Sequence, residues 1–139
     1  MKTARLMTAA LAAALTLVAA PLAASAATPS VAPKHRELSN KDNRSSLTVH
    51  KGDEITVRLS GEKNNNSTWG WSVPTAANGT VLHRDTARTA PNGDATGVFH
   101  ARADGTTTLD SQFRCISRTD GEACSHVVIS WQVTVTVRR

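Results

Sequence analysis

The chain has 139 residues, 16 basic and 11 acidic, two cysteines, three tryptophans, two phenylalanines and no tyrosine. That length accommodates one ordinary domain and leaves little room for a second. Its basic residues are scattered singly rather than gathered in a stripe with interleaved aromatics, which argues against a nucleic-acid partner.

The first 26 residues read as a secretory signal peptide. Lys2 and Arg5 precede an apolar Ala/Leu run over residues 6–20, and Ala24-Ser25-Ala26 supplies the small residues of a cleavage site. Export with cleavage near Ala26 is expected, leaving 113 residues with 14 basic against 11 acidic groups, about +3. No stop-transfer pattern follows, so no membrane association is expected afterwards. The alanine-rich signal suggests a bacterial source, in which the Asn-x-Ser/Thr sequons at Asn43, Asn65, Asn66 and Asn78 carry little weight.

Residues 27–45 hold two prolines and many polar residues with no apolar period, and are expected to be a flexible leader. From residue 46 the period is two. In "EITVRLS", Ile55, Val57 and Leu59 alternate with polar neighbours; near the end, Val127, Ile129, Trp131, Val133, Val135 and Val137 form one face of a long strand. Shorter strands are predicted over residues 47–49, 69–73, 80–84, 97–103 and 106–116, separated by the turn tracts "HKGD", "EKNNN", "AANG", "APNGD" and "ADG". About seven short strands at this length point to an all-β, antiparallel immunoglobulin-like sandwich. The Asp104-Gly105 pair suits a tight hairpin between the strands around it.

Cys115 and Cys124, an even pair bound for an oxidising compartment, are expected to form a disulfide around an eight-residue tip. Aligning inward residues of the flanking strands places Phe113 opposite Val127. Cys115 then falls opposite Ser125, so a bulge or an offset is needed to bring Cys124 within reach.

No nucleophile elbow, phosphate-binding loop or metal-ligand spacing occurs, and no catalytic residue, metal or cofactor is assigned. The five histidines are widely separated. His50, His100 and His126 are the three that could meet across strands. The acidic residues mostly flank turn glycines, where carboxylates bond local amides. Binding by loops at one end of a rigid sandwich is the class that remains.

The tract "NNNSTWGWSVP" stands out because it sets two of the three tryptophans beside the most turn-prone residues. Trp69, Trp71 and Val73 share parity, so a strand starting at Trp69 would bury both indoles. Gly70 between them permits an irregular backbone. The functional alternative keeps Trp71 in the core and leaves Trp69 at a loop tip as an exposed aromatic anchor.

This tract resembles the first loop motif of the chagasin-type family of inhibitors of papain-like cysteine peptidases, Asn-Pro-Thr-Thr-Gly-aromatic. Asn66, Thr68, Gly70 and Trp71 match, while Ser67 stands for the proline and Trp69 for the second threonine. Gly93 and Gly97 ahead of Phe99 resemble the family's glycine-rich segment. Its third motif, Arg-Pro-aromatic, is missing; Arg114, Arg118 and the cysteine-bounded tip occupy that place. The resemblance runs over about residues 45–137. It implies a monomeric secreted inhibitor whose loops, represented by Asn66, Ser67, Thr68, Trp69, Gly70, Gly93, Gly97 and Arg118, enter the cleft of a papain-like cysteine peptidase without covalent chemistry. The other reading is a secreted module of the same fold that binds a different surface or protein partner.

Overall fold

The structure, a computed structural model, describes residues 24–26, 31–121 and 123–139. Apart from residues 24–26, the expected signal peptide lies outside them, as do the first four residues of the expected leader. The chain divides into two units, Met1–Ser30 and Val31–Arg139, and every described strand belongs to the second.

Ten strands follow in order: β1 (His35–Leu38), β2 (Ser46–His50), β3 (Glu54–Leu59), β4 (Glu62–Lys63), β5 (Ser67–Trp71), β6 (Thr75–Ala76), β7 (Leu82–Thr89), β8 (Ala95–Ala101), β9 (Gly105–Arg118) and β10 (Val128–Arg138). They form two sheets, β1-β3-β8-β7 and β2-β10-β9-β5-β4, with β6 also on β9. This is an immunoglobulin-like sandwich. The seven longer strands are those expected, with shifted ends, and β1, β4 and β6 are additional.

Alternation builds the core. Ile55, Val57 and Leu59 of β3, with Leu82 and Phe99, face Leu109, Trp131, Val133, Val135 and Val137 of the other sheet, all at most 2% exposed. Burying each such side chain stabilises the fold by about 1.5 to 3 kcal/mol. The Trp131 indole also donates to the Ser39 carbonyl at 3.0 Å, which satisfies its one polar atom.

That bond marks a correction, because residues 35–45 are not a flexible leader. Leu38 is buried, and β1 pairs in parallel with β3 from His35↔Glu54 to Leu38↔Val57. A 3-10 turn (Asn40–Asp42) then carries the chain across to the second sheet, with the Ser39 amide donating to Asp42 Oδ2 at 2.7 Å. There the Arg44 amide donates to Gln132 and Ser45 accepts from Thr134, at 2.7 and 3.0 Å. Backbone bonding, the side-chain amides of Asn40 and Asn43 bonded to Ser60 and Gln132, and a single buried leucine hold this segment, so it needs no apolar period.

Asp53 anchors its start. One carboxylate oxygen accepts the Lys34 amide at 2.9 Å and the other the His50 amide at 2.8 Å, so one buried side chain ties the approach to β1 to the end of β2.

Two further expectations change. The "ADG" turn is a corner between sheets rather than a hairpin. β8 already pairs with β3 on one edge and β7 on the other, leaving no edge for β9, which joins the second sheet. In the β9–β10 hairpin, Phe113 lies opposite Ile129, not Val127, and pairing ends at Arg114↔Val128. The parity was as expected, but residues 124–127 leave the ladder. That offset brings Cys124 to Cys115, with Cα atoms 5.6 Å apart in the disulfide.

Burial by itself raises the Asp53 carboxyl, but the Lys34 and His50 amides, helped by the nearby charges of His50 and Lys34, outweigh it and hold the group below its ordinary value. A folded-state value below the unfolded one contributes stability that is present above the unfolded value of about 3.9 and is lost as pH falls through the folded value. Asp53→Asn should therefore cost about 1 to 3 kcal/mol at neutral pH. It should also remove part of the wild-type loss of stability below about pH 4. Urea denaturation of both proteins across the acid range checks this, and equal acid slopes would contradict it.

Candidate functional site

Three connections meet at one end of the sandwich. The first is the β4–β5 turn. Asn64 Oδ1 accepts the Asn66 and Ser67 amides at 2.9 and 2.8 Å, and the Asn64 amide donates to the Ser67 carbonyl at 3.0 Å. A side chain thus closes the turn on its own backbone. The tip residues Asn64, Asn65 and Asn66 are exposed.

The second connection, residues 90–94 between β7 and β8, is held against β5 by backbone. The Trp71 amide donates to the Gly93 carbonyl at 2.9 Å, and Asp94 Oδ1 accepts the Gly61 amide at 2.7 Å. Here three glycines touch. A Cβ on Gly70 would lie 2.8 Å from Gly93 Cα; one on Gly61 would collide with the Gly93 backbone, and one on Gly93 with the Trp69 carbonyl. Gly93 also has φ of +93°, a conformation side chains oppose.

The third is the tip beyond the β9–β10 ladder. The disulfide closes it at the base, and Thr119 donates to the Asn66 carbonyl from its amide at 2.9 Å and from its hydroxyl at 3.2 Å. The β4–β5 turn and the disulfide tip are thus linked directly.

Beneath these connections lies an apolar shelf. Trp71, Phe113 and Ile129 occupy one cross-strand row, and Trp69 and Cys115 the next. The Trp69 and Trp71 rings sit 5.8 and 4.8 Å from that of Phe113. Because β9 and β10 extend past the first sheet, Ile129 is 51% exposed although it has core parity. Val127, Val128 and Ile116 are about half exposed around the same arm.

The residues singled out in the sequence divide accordingly. Asn66 is at an exposed tip, Ser67 begins β5, and Arg118 ends β9 opposite Ser67, exposed and near that tip. Thr68 and Gly70 are buried within β5. Trp69 is not at a loop tip. It is half-buried, on the same face as Trp71, because β4 and β9 pair with both edges of β5 and extend the strand back to Ser67. Trp71 is itself half-buried against the core, its indole donating to the Ser60 carbonyl at 3.0 Å.

Gly93 is at the site but acts through its backbone. Gly97 is not in a loop at all. It lies in mid-β8 between Val57 and Ala87, where a Cβ would meet the Phe99 ring at 2.9 Å. Sequence reasoning missed Gly61, the role of Asn64 and the exposed aliphatic arm. The unbroken Val127-Val128-Ile129 run, where strict alternation fails, was the available signal for the arm.

The histidines gather elsewhere. Glu54 links His35 at 2.9 Å to His100 at 3.2 Å, and Asp85 joins His100 to His83 on the outer face of the first sheet. His50 and His126 are not in this chain of contacts. Among the described residues no group of three or more His, Cys, Asp or Glu side chains is placed to hold a metal ion.

No protein-family profile matches the sequence, and no curated protein matches it. Solved structures do. A cysteine protease inhibitor from Entamoeba histolytica, EhICP2, superimposes with a TM-score of 0.54 at 13% identity, covering 78% of this chain and all of that one. Amebosin superimposes with a TM-score of 0.51 at 18% identity, covering 76% of this chain and 99% of that one.

Two substitutions test the glycine contact. Gly93→Ala should destabilise by about 1 to 3 kcal/mol through strain and collision. Gly79→Ala, with no atom within 4 Å, should change stability by less than about 0.5 kcal/mol. Removing the disulfide with paired serines should cost about 2.5 to 3 kcal/mol, as chain entropy predicts for its ten-residue loop. Thermal and urea unfolding distinguish these magnitudes. The chain shares its immunoglobulin-like fold with the cysteine protease inhibitor EhICP2 and with amebosin.

Proposed function

We propose that this is a secreted, monomeric binding protein that blocks a papain-like cysteine peptidase by steric occlusion. The observation that carries this reading is the loop end itself. Three connections are tied together by the Thr119–Asn66 bonds, the Gly61/Gly70/Gly93 contact and the disulfide, next to exposed aliphatic side chains. EhICP2, a cysteine protease inhibitor of the same fold, supports the class of partner. Export follows from the sequence of the first 26 residues and suits the disulfide.

The geometry favours reversible binding without chemistry. Ordering an interface side chain costs about 0.5 to 1.5 kcal/mol, so an end already fixed by its own bonds keeps more of its contact energy. The leading edge is the polar tip at Asn65 and Asn66. Residues 68–70 support it from within the sheet rather than entering a cleft themselves. The half-exposed Val127 and Ile129, beside the third connection, would stand in for the aromatic that the family motif carries there.

Titration of the oxidised protein against papain and related peptidases tests the proposal. Inhibition is expected, and Ile129→Asp, at a half-exposed site, should raise the inhibition constant at least about tenfold, or ~1.4 kcal/mol, with unfolding unchanged. Absence of inhibition across several papain-like enzymes would transfer the loop end to another protein or surface partner.

A further inference from the structure

The outer face of the first sheet carries a second feature, separate from the loop end. In register, Arg58 of β3 and Arg88 of β7 flank Thr96 of β8, so the three side chains form one row across three strands. Neighbouring strands lie about 4.8 Å apart, which places the two arginine Cα atoms about 10 Å from each other, with the threonine between them. Two concavities, of about 480 and 450 Å³, meet at this row and share Arg58, Arg88 and Thr96. Thr86 and Val98 form part of the floor of the larger one.

The charge on this row is incompletely answered. Arg58 meets Glu37 through Nε at 3.4 Å, in a pair whose side chains are both more than half exposed. Beyond the backbone ladder, the Arg88 side chain makes no hydrogen bond or ion pair with another described residue. The one acid on the rim, Asp94, is already engaged by the Gly61 amide and by Asn92 Nδ2, at 2.7 and 3.0 Å. Two exposed arginines thus flank a threonine in the lining of both hollows.

From this arrangement we propose that the Arg58/Thr96/Arg88 row binds an oxyanion, a sulfate or phosphate group, either free or carried on a sugar. A tetrahedral oxyanion offers enough acceptor oxygens to take a bond from each guanidinium and from the threonine hydroxyl together. Arginine matches that geometry bidentately, and its charge-assisted bonds are about twice as strong as neutral ones. One exposed arginine would hold such an anion weakly. The cross-strand pair over a concave floor gives the site its specificity.

The test is a titration of the oxidised ¹⁵N-labelled protein at constant ionic strength, with inorganic phosphate, inorganic sulfate and glucose 6-sulfate as separate arms. The amides of Arg58, Arg88 and Thr96 should shift together and saturate with one dissociation constant. Arg88→Ala and Arg58→Ala should each weaken binding about tenfold, Arg88→Lys less, and Lys51→Ala not at all. Tighter binding of glucose 6-sulfate than of sulfate supports a sugar-borne anion, and equal binding a free one. Non-saturable shifts, or shifts that Arg88→Ala leaves unchanged, overturn the proposal. Peptidase inhibition does not enter the readout, so this result and that of the inhibition assay are independent.

Discussion

The loop end depends on three residues having no side chains. Gly61, Gly70 and Gly93 come from the β3–β4 link, from β5 and from the β7–β8 turn, which belong to different sheets, and their backbones are in contact. Such an approach lets a carbonyl of the first sheet's turn bond an amide on the edge of the second. A Cβ at any of the three positions would separate the connections. Packing of interior density transmits small displacements, so the loss would reach the β4–β5 turn through Trp69 and Thr68.

The remainder of the frame follows from edge accounting. Every long strand has two edges, and an unpaired buried amide is costly. β8 is saturated by β3 and β7, which turns the chain at Asp104-Gly105 into the other layer. β5 is saturated by β9 on one side, and by β4 and the Gly93 carbonyl on the other, which makes a strand of what composition presents as a loop. The segment 35–45 seals one edge of each sheet in turn, and Asp53 fixes where it begins. One constraint, satisfaction of backbone groups, therefore decides where the loops lie and which residues are free to meet a partner.

The same constraint separates what the sequence makes legible from what it hides. Alternation in 54–60 and 131–137 reveals two core strands directly, because burial on one face is written as period two; the same alternation over Val127 and Ile129 continues past the core. The Cys115–Cys124 pair is legible from number and spacing. Residues 35–45 are not, since parallel pairing uses backbone atoms that every residue possesses, and the bonds of Asn40, Asp42 and Asn43 leave no apolar period. Trp69 misleads because its neighbours are turn formers. The turn closes two residues earlier, at Asn64 to Ser67, and the indole gains more from Phe113 than from water. Gly97 looks like loop glycine in composition, yet its reason is the Phe99 ring beside it. A glycine required by a neighbour's bulk leaves no local signature.

Under the proposed function, the absent Arg-Pro-aromatic motif would need a counterpart. β9 and β10 run beyond the first sheet, so residues that keep core parity emerge uncovered, and Ile129 is half exposed while Trp131, two residues on, is sealed. An aromatic on a flexible third loop would have to be ordered on binding. Val128 and Ile129 lie on a paired strand, Ile129 opposite Phe113, close to the disulfide, and are ordered beforehand. They offer less area per residue but lose less entropy in contact. In the proposed inhibitor, rigidity of the arm would take over part of what side-chain size otherwise supplies, and it comes from the same ladder that builds the core.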